Sequence, residues 1–81
     1  MSTYNSRLGI RDIIFSVNSE GYCHPWSIGQ VLFTSNEIEY RNHIGTHICY
    51  ERELDNINSE SGTYYFTSKV KRNEFIKTRS L

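Results

Sequence analysis

The sequence predicts a mainly β, or α+β, domain built on a small antiparallel and strongly curved sheet. Three observations predict it. The apolar residues are those that suit a pleated, half-buried surface, with nine Ile, six Tyr and four Phe, whereas Ala, the best helix former, is absent. Short segments alternate between apolar and polar residues. Clusters of Asn, Ser and Gly separate those segments and supply turns.

Residues 1–7 are polar and predict a frayed, flexible terminus. A first strand is expected near residues 10–17, where Ile10, Ile13, Ile14, Phe15 and Val17 form an apolar run. VNSEGY then carries turn residues. CHPWSIGQ predicts a connection, because Pro25 lacks a backbone donor and biases His24 towards an extended conformation. Residues 30–35, QVLFTS, predict a second strand, and SNE at 35–37 a tight turn.

EIEYRN places Ile38 and Tyr40 on one face and Glu37, Glu39 and Arg41 on the other, which predicts a half-exposed strand. HIGTHICYE continues the alternation. Ile44, Thr46, Ile48 and Tyr50 share one face, and His43, Gly45, His47, Cys49 and Glu51 share the other. Residues 37–53 are therefore one long bent strand, or two strands broken near Asn42–Gly45, with Gly45 at the bulge or bend. Residues 53–62 predict the longest loop. TYYFTSKVKR, 63–72, predicts a strand, and 73–81 one or two helical turns capped by Asn73, or a tail. Four or five such strands fit an SH3- or OB-like barrel, with a sheet covered by a C-terminal helix as the main competitor.

Eighty-one residues suffice for one domain with a thin stability margin. The formal net charge is zero and the isoelectric point about 6.8, which argues against bulk duplex DNA as a partner. Acidic residues concentrate in the middle of the chain and basic ones between 69 and 79. No apolar run approaches a bilayer span and the N-terminus has no apolar leader, so a cytoplasmic location and no membrane partner are expected. Cys23 and Cys49 are then reduced thiols or metal ligands.

Cys23, His24, His43, His47 and Cys49 are the N and S donors from which a zinc site could be drawn. On a strand His47 and Cys49 point outwards together, with Cα atoms roughly 6.5–7 Å apart. The spacing matches no common zinc module, and the alternative is a pair of buried cysteines with histidines exposed on the polar face. No cofactor is otherwise implied. Cys–His proximity at 23–24 and 47–49 is compatible with nucleophilic chemistry, but no third orienting group is visible, so no enzymatic activity and no catalytic cleft are expected.

Two binding surfaces remain. Tyr65, Lys69, Lys71 and Arg72 interleave an aromatic with cations, as in single-stranded nucleic-acid binders, although outward lysines protecting a strand edge give the same pattern. Trp26 on the Pro-anchored loop, with Tyr22, Glu37, Glu39 and Arg41, offers the residue types of protein interfaces, against the alternative that Trp26 is a lid on the core. The expected function is a non-enzymatic protein that binds another protein as an inhibitor or modulator, with homodimerisation as a further route. Abundant Ile, Asn, Ser and Tyr without Ala fits an AT-rich genome, and a phage or other mobile element is the expected source of so small an accessory protein.

Overall fold

The computed structural model describes residues 6–81. Six strands form two three-stranded antiparallel sheets, and one helix follows. The first sheet has the order β2-β1-β6, from β1 (Ile13–Asn18), β2 (Cys23–Ser27) and β6 (Thr63–Phe66). The second is a meander of β3 (Gln30–Phe33), β4 (Ile38–Arg41) and β5 (Ile48–Tyr50). The helix α1 spans Lys69–Arg79. The mainly β expectation holds, with six strands in place of four or five. They form two separate sheets rather than one hydrogen-bonded barrel among the described residues.

Alternation explains the layers. Along β1, Ile14 turns to the second sheet and packs with Trp26, Ile28, Ile38, Tyr40, Cys49 and Leu54. Phe15 and Val17 turn the other way, towards Phe66 and Phe75 beneath the helix. The first sheet is thus the middle of three layers and carries a small core on each side. Burying a side chain such as Phe75 contributes about 1.5–3 kcal/mol, so neither core alone holds a wide margin.

Several turns fall where composition puts them. Asn18 Oδ1 accepts the amides of Glu20 and Tyr22 in the β1–β2 hairpin. The Thr34 amide donates to Glu37 O at the β3–β4 turn. Residues 37–53 take the two-strand form: Asn42 donates to His47 O, and Gly45 sits between at φ +78°, a conformation L side chains rarely adopt. Gly29, at the crossing from the first sheet to the second, is required for a different reason. A Cβ there would lie 2.5 Å from the Cα of His43, against backbone that has little room to yield.

The expected connection CHPWSIGQ is instead largely a strand, β2. The bonds Asn18 N to Tyr22 O and Ile28 N to Asp12 O fix the phase of the β1–β2 ladder. In that phase Cys23, Pro25 and Ser27 turn their backbone polar groups away from β1. The missing donor of Pro25 therefore falls on the open edge, where proline is tolerated.

The expected strand 63–72 ends at Phe66, and its second half is the start of α1. Ser68, not Asn73, is the cap: its Oγ accepts from the Lys71 amide at 3.2 Å. Asn73 lies inside the helix. Phe75 packs its ring against Tyr64 and Phe66, at centroid separations of 4.5 and 5.2 Å. Arg72 is buried with its guanidinium 5.6 Å from the Phe15 ring, so its stem fills a position an apolar residue would otherwise occupy.

The frayed segment expected at 1–7 lies largely outside the described residues, but Arg7 is fastened. Its amide donates to Glu51 Oε1 and its guanidinium to Asp55 Oδ2, at 3.0 and 2.6 Å. Leu8 then packs on the inter-sheet core and its amide donates to Tyr40 Oη. Asp55 also accepts from the Thr67 amide and Lys71 Nζ, which ties the long loop to the β6–α1 junction. Burial pushes the Asp55 carboxyl up, but the bonds from Arg7, Thr67 and Lys71 outweigh it and leave its pKa below the ordinary value. Burial, and donation to Glu51, push the Tyr40 hydroxyl up to about 12.

Candidate functional site

The two sheets are sealed over Ile14, Tyr40 and Cys49 and part at the other end of β1. There a cleft of about 520 Å³ opens, lined by Ser16, Asn18, His24, Trp26, His47 and Tyr65 among others. Its construction follows from register. Ser16 pairs with His24 on one side and Tyr65 on the other, so these three form one row across the first sheet. Asn18 and Thr63 form the next row. The face that presents Ile14 and Trp26 to the core thus becomes polar within one or two residues. Thr46, His47 and Ile48 supply the opposite wall.

His24 and His47 meet across the cleft. Their Nε2 atoms are 2.9 Å apart, with ring centroids at 4.5 Å and planes inclined by 49°. His47 also stacks on the Trp26 indole, at 5.8 Å and 20°. Ser16 Oγ donates to His24 O, which ties the strand that carries His24 to β1 at this level. Tyr65 is half-buried in the wall, and burial, with the nearby Glu53, raises its pKa. Tyr22 stands at the rim and is 68% exposed. Ile48, in the opposite wall, is 39% exposed and pairs with Arg41, on the face of β5 away from Cys49.

Of the five expected metal donors, the fold brings His24 and His47 into contact and disperses the rest. His47 and Cys49 share a face, as alternation requires, but it is the inward one, which corrects their expected outward direction. Cys49 is fully buried in the inter-sheet core, and burial followed by the charges of Glu53 and Glu51 raises its thiol pKa, the opposite of an activated thiolate. Cys23 is exposed, with its thiol 3.9 Å from Gly21 O. His43 is exposed on the β4–β5 turn. Among the described residues no three of His, Cys, Asp and Glu converge on one point.

The expected protein-binding set divides. Tyr22 and Trp26 belong to the cleft, but Trp26 is buried, not an outward anchor. Glu39 is buried too, with Oε2 2.6 Å from Arg41 Nε, so the half-exposed polar face expected for residues 37–42 is half covered. Glu37 pairs with Arg52. The nucleic-acid set loses the strand that would align it. Tyr65 faces the cleft, Lys69 and Lys71 open the helix, Lys71 is held by Asp55, and Arg72 is buried.

The cleft itself was not anticipated. Its one signal is in the first strand, where Ser16 and Asn18 interrupt the inward face that Ile14 begins. Among the described residues no helix is long and apolar enough to cross a membrane. No protein-family model, curated protein or solved structure matches the chain.

Proposed function

We propose that the protein is a non-catalytic binding module that engages another protein through the mouth of the inter-sheet cleft, acting as its inhibitor or modulator. The observation that carries this reading is the mouth of the cleft: Tyr22 stands exposed at the rim beside the polar side chains of Ser16, Asn18, Thr63 and Tyr65. The exposed aromatic supplies an anchor, and the hydroxyls and amide beside it supply hydrogen bonds that orient a partner segment. Buried Cys49, with its raised thiol pKa, supports a module rather than a thiol enzyme.

The test is site-specific photocrosslinking in lysate of the source cells, with the probe at Tyr22 and, as control, at Val70 on the helix, which is equally exposed. One discrete adduct at position 22, absent at position 70 and competed by unlabelled protein but not by a Tyr22→Ser variant of native circular dichroism, supports the reading. Adducts of the same pattern at both positions, or none at either, overturn it.

A further inference from the structure

We infer that the contact between His24 and His47 is a pH-operated latch between the two sheets, which holds the walls of the cleft together while one imidazole is neutral and releases them when acid protonates both. The inference does not rest on the partner-binding reading.

The device follows from what each ring can donate and accept. The two Nε2 atoms lie 2.9 Å apart, so one ring donates its Nε2–H and the other accepts at a bare Nε2. A bare nitrogen exists only on a neutral imidazole. The bond therefore forms with both rings neutral, or with one ring charged and donating. It has no form in which both are charged, because each Nε2 then carries a hydrogen and two positive rings face each other. The parted arrangement takes up a proton on each ring, whereas the bonded one has room on only one of them, so falling pH favours parting. Imidazole is the side chain whose ordinary titration falls in the mildly acid range, and histidine clusters that switch interfaces do so at about pH 5–6.

The surroundings suit a latch. His24 lies on β2 in the first sheet, and His47 immediately precedes β5 in the second. Both backbones are anchored: Ser16 Oγ donates to His24 O, and the His47 amide donates to Asn42 Oδ1. Among the described residues no Asp, Glu, Lys or Arg lines the cleft, so no carboxylate stands there to hold a second imidazolium in place. The titratable groups that share the cleft are Tyr22 from the β1–β2 hairpin, Cys23 beside His24 on β2, and Tyr65 from β6. Phenols and thiols add no charge in acid, and burial raises the Tyr65 hydroxyl further. The linings from β1, Ser16 and Asn18, and from the β4–β5 turn, Thr46, are neutral. Glu53, whose charge reaches Tyr65, and His43 on the turn do not line the cleft. Trp26 is only 7% exposed and stacks on His47, so withdrawal of that ring uncovers the indole. The buried cluster of Ile14, Tyr40 and Cys49 keeps the far end of the sheets together, so the opening is local.

Trp26 is the single tryptophan of the chain, so its emission reads the latch directly. The experiment is acrylamide quenching of the full chain from about pH 8 down to about pH 5, above the range in which Asp55 loses its charge, with far-UV circular dichroism at each step. Expected are a red shift of the emission and a rise in the quenching constant, in one reversible step at about pH 5–6, with circular dichroism unchanged. The quenching constant is the criterion, because a charged imidazole dims an adjacent indole without any movement. His24→Gln and His47→Gln each abolish the step, since a lone imidazolium meets no like charge. Cys23→Ser and His43→Gln retain it. A quenching constant that stays flat in the unsubstituted protein, a step that survives His24→Gln or His47→Gln, or loss of circular dichroism in parallel with the rise overturns the inference.

Discussion

The two ends of the inter-sheet space are built on the same strands and the same faces, and they differ in almost every other respect. At one end Ile14, Tyr40 and Cys49 are essentially inaccessible, and Leu8 is laid over them by the bonds of Arg7 to Glu51 and Asp55. At the other end Ser16, His24, His47 and Thr63 line an open cleft. The transition takes a step of two residues along β1. Register thus does more than stack a core: it carries a row of polar side chains to the place where the sheets part. Stability should be concentrated at the closed end and binding at the open one, because buried apolar contacts hold the fold whereas exposed polar groups are already satisfied by water.

The sharpest trial of this contrast is Ile14→Ala, which removes a fully buried side chain from the closed end. A loss of about 2–5 kcal/mol is expected in urea unfolding, enough to leave much of this small protein unfolded. A smaller loss than at the open end would erase the distinction.

Next is Asp55→Asn, which weakens the charge-assisted bonds to Arg7 and Lys71 and loosens the segment over the closed end. About 1–2 kcal/mol should be lost at neutral pH. Because the folded Asp55 has a lowered pKa, its contribution is present above the ordinary carboxylate pKa and is lost as pH falls through the folded value. Melting temperatures of the two proteins should therefore draw together below about pH 4. A constant gap between pH 3 and pH 7 would show that the carboxylate charge plays no part.

The smallest effect is expected at the open end. His24→Gln should change the unfolding free energy by less than about 0.5 kcal/mol, since the side chain is exposed and its partner His47 is only half-buried. A loss comparable with that of Ile14→Ala would make the cleft part of the core.

Much of the sheet structure is legible in the sequence because period two survives wherever one face is buried. Alternation separates the two faces of β4 and of β5, but not which face of β5 turns inward: Cys49 is buried and Ile48 exposed. The two-strand form broken near Gly45 is one of the two readings alternation allows. Pro25 concealed β2, because a proline argues against a strand unless its nitrogen faces an open edge, and the edge is set by pairing with a distant segment. The β6–α1 boundary was hidden by the run from Tyr64 to Arg72, which alternates as well as a strand does. The helical stripe is disguised there, since the first inward position is Arg72 and only then Phe75. Ser68 was a readable cap but had no apolar stripe to announce. The cleft and the meeting of His24 with His47 depend on two strands in different sheets, and no local pattern encodes that distance.

Pro25 has one more effect. An open sheet margin normally invites another strand to dock by main-chain bonding, the first step towards runaway polymer growth. On β2 the middle residue of that margin has no proton to offer, and the strand is only five residues long. An incoming segment would find an interrupted ladder there, so this side of the molecule resists templated accretion even though its thiol, imidazole and tyrosine remain in reach of solvent.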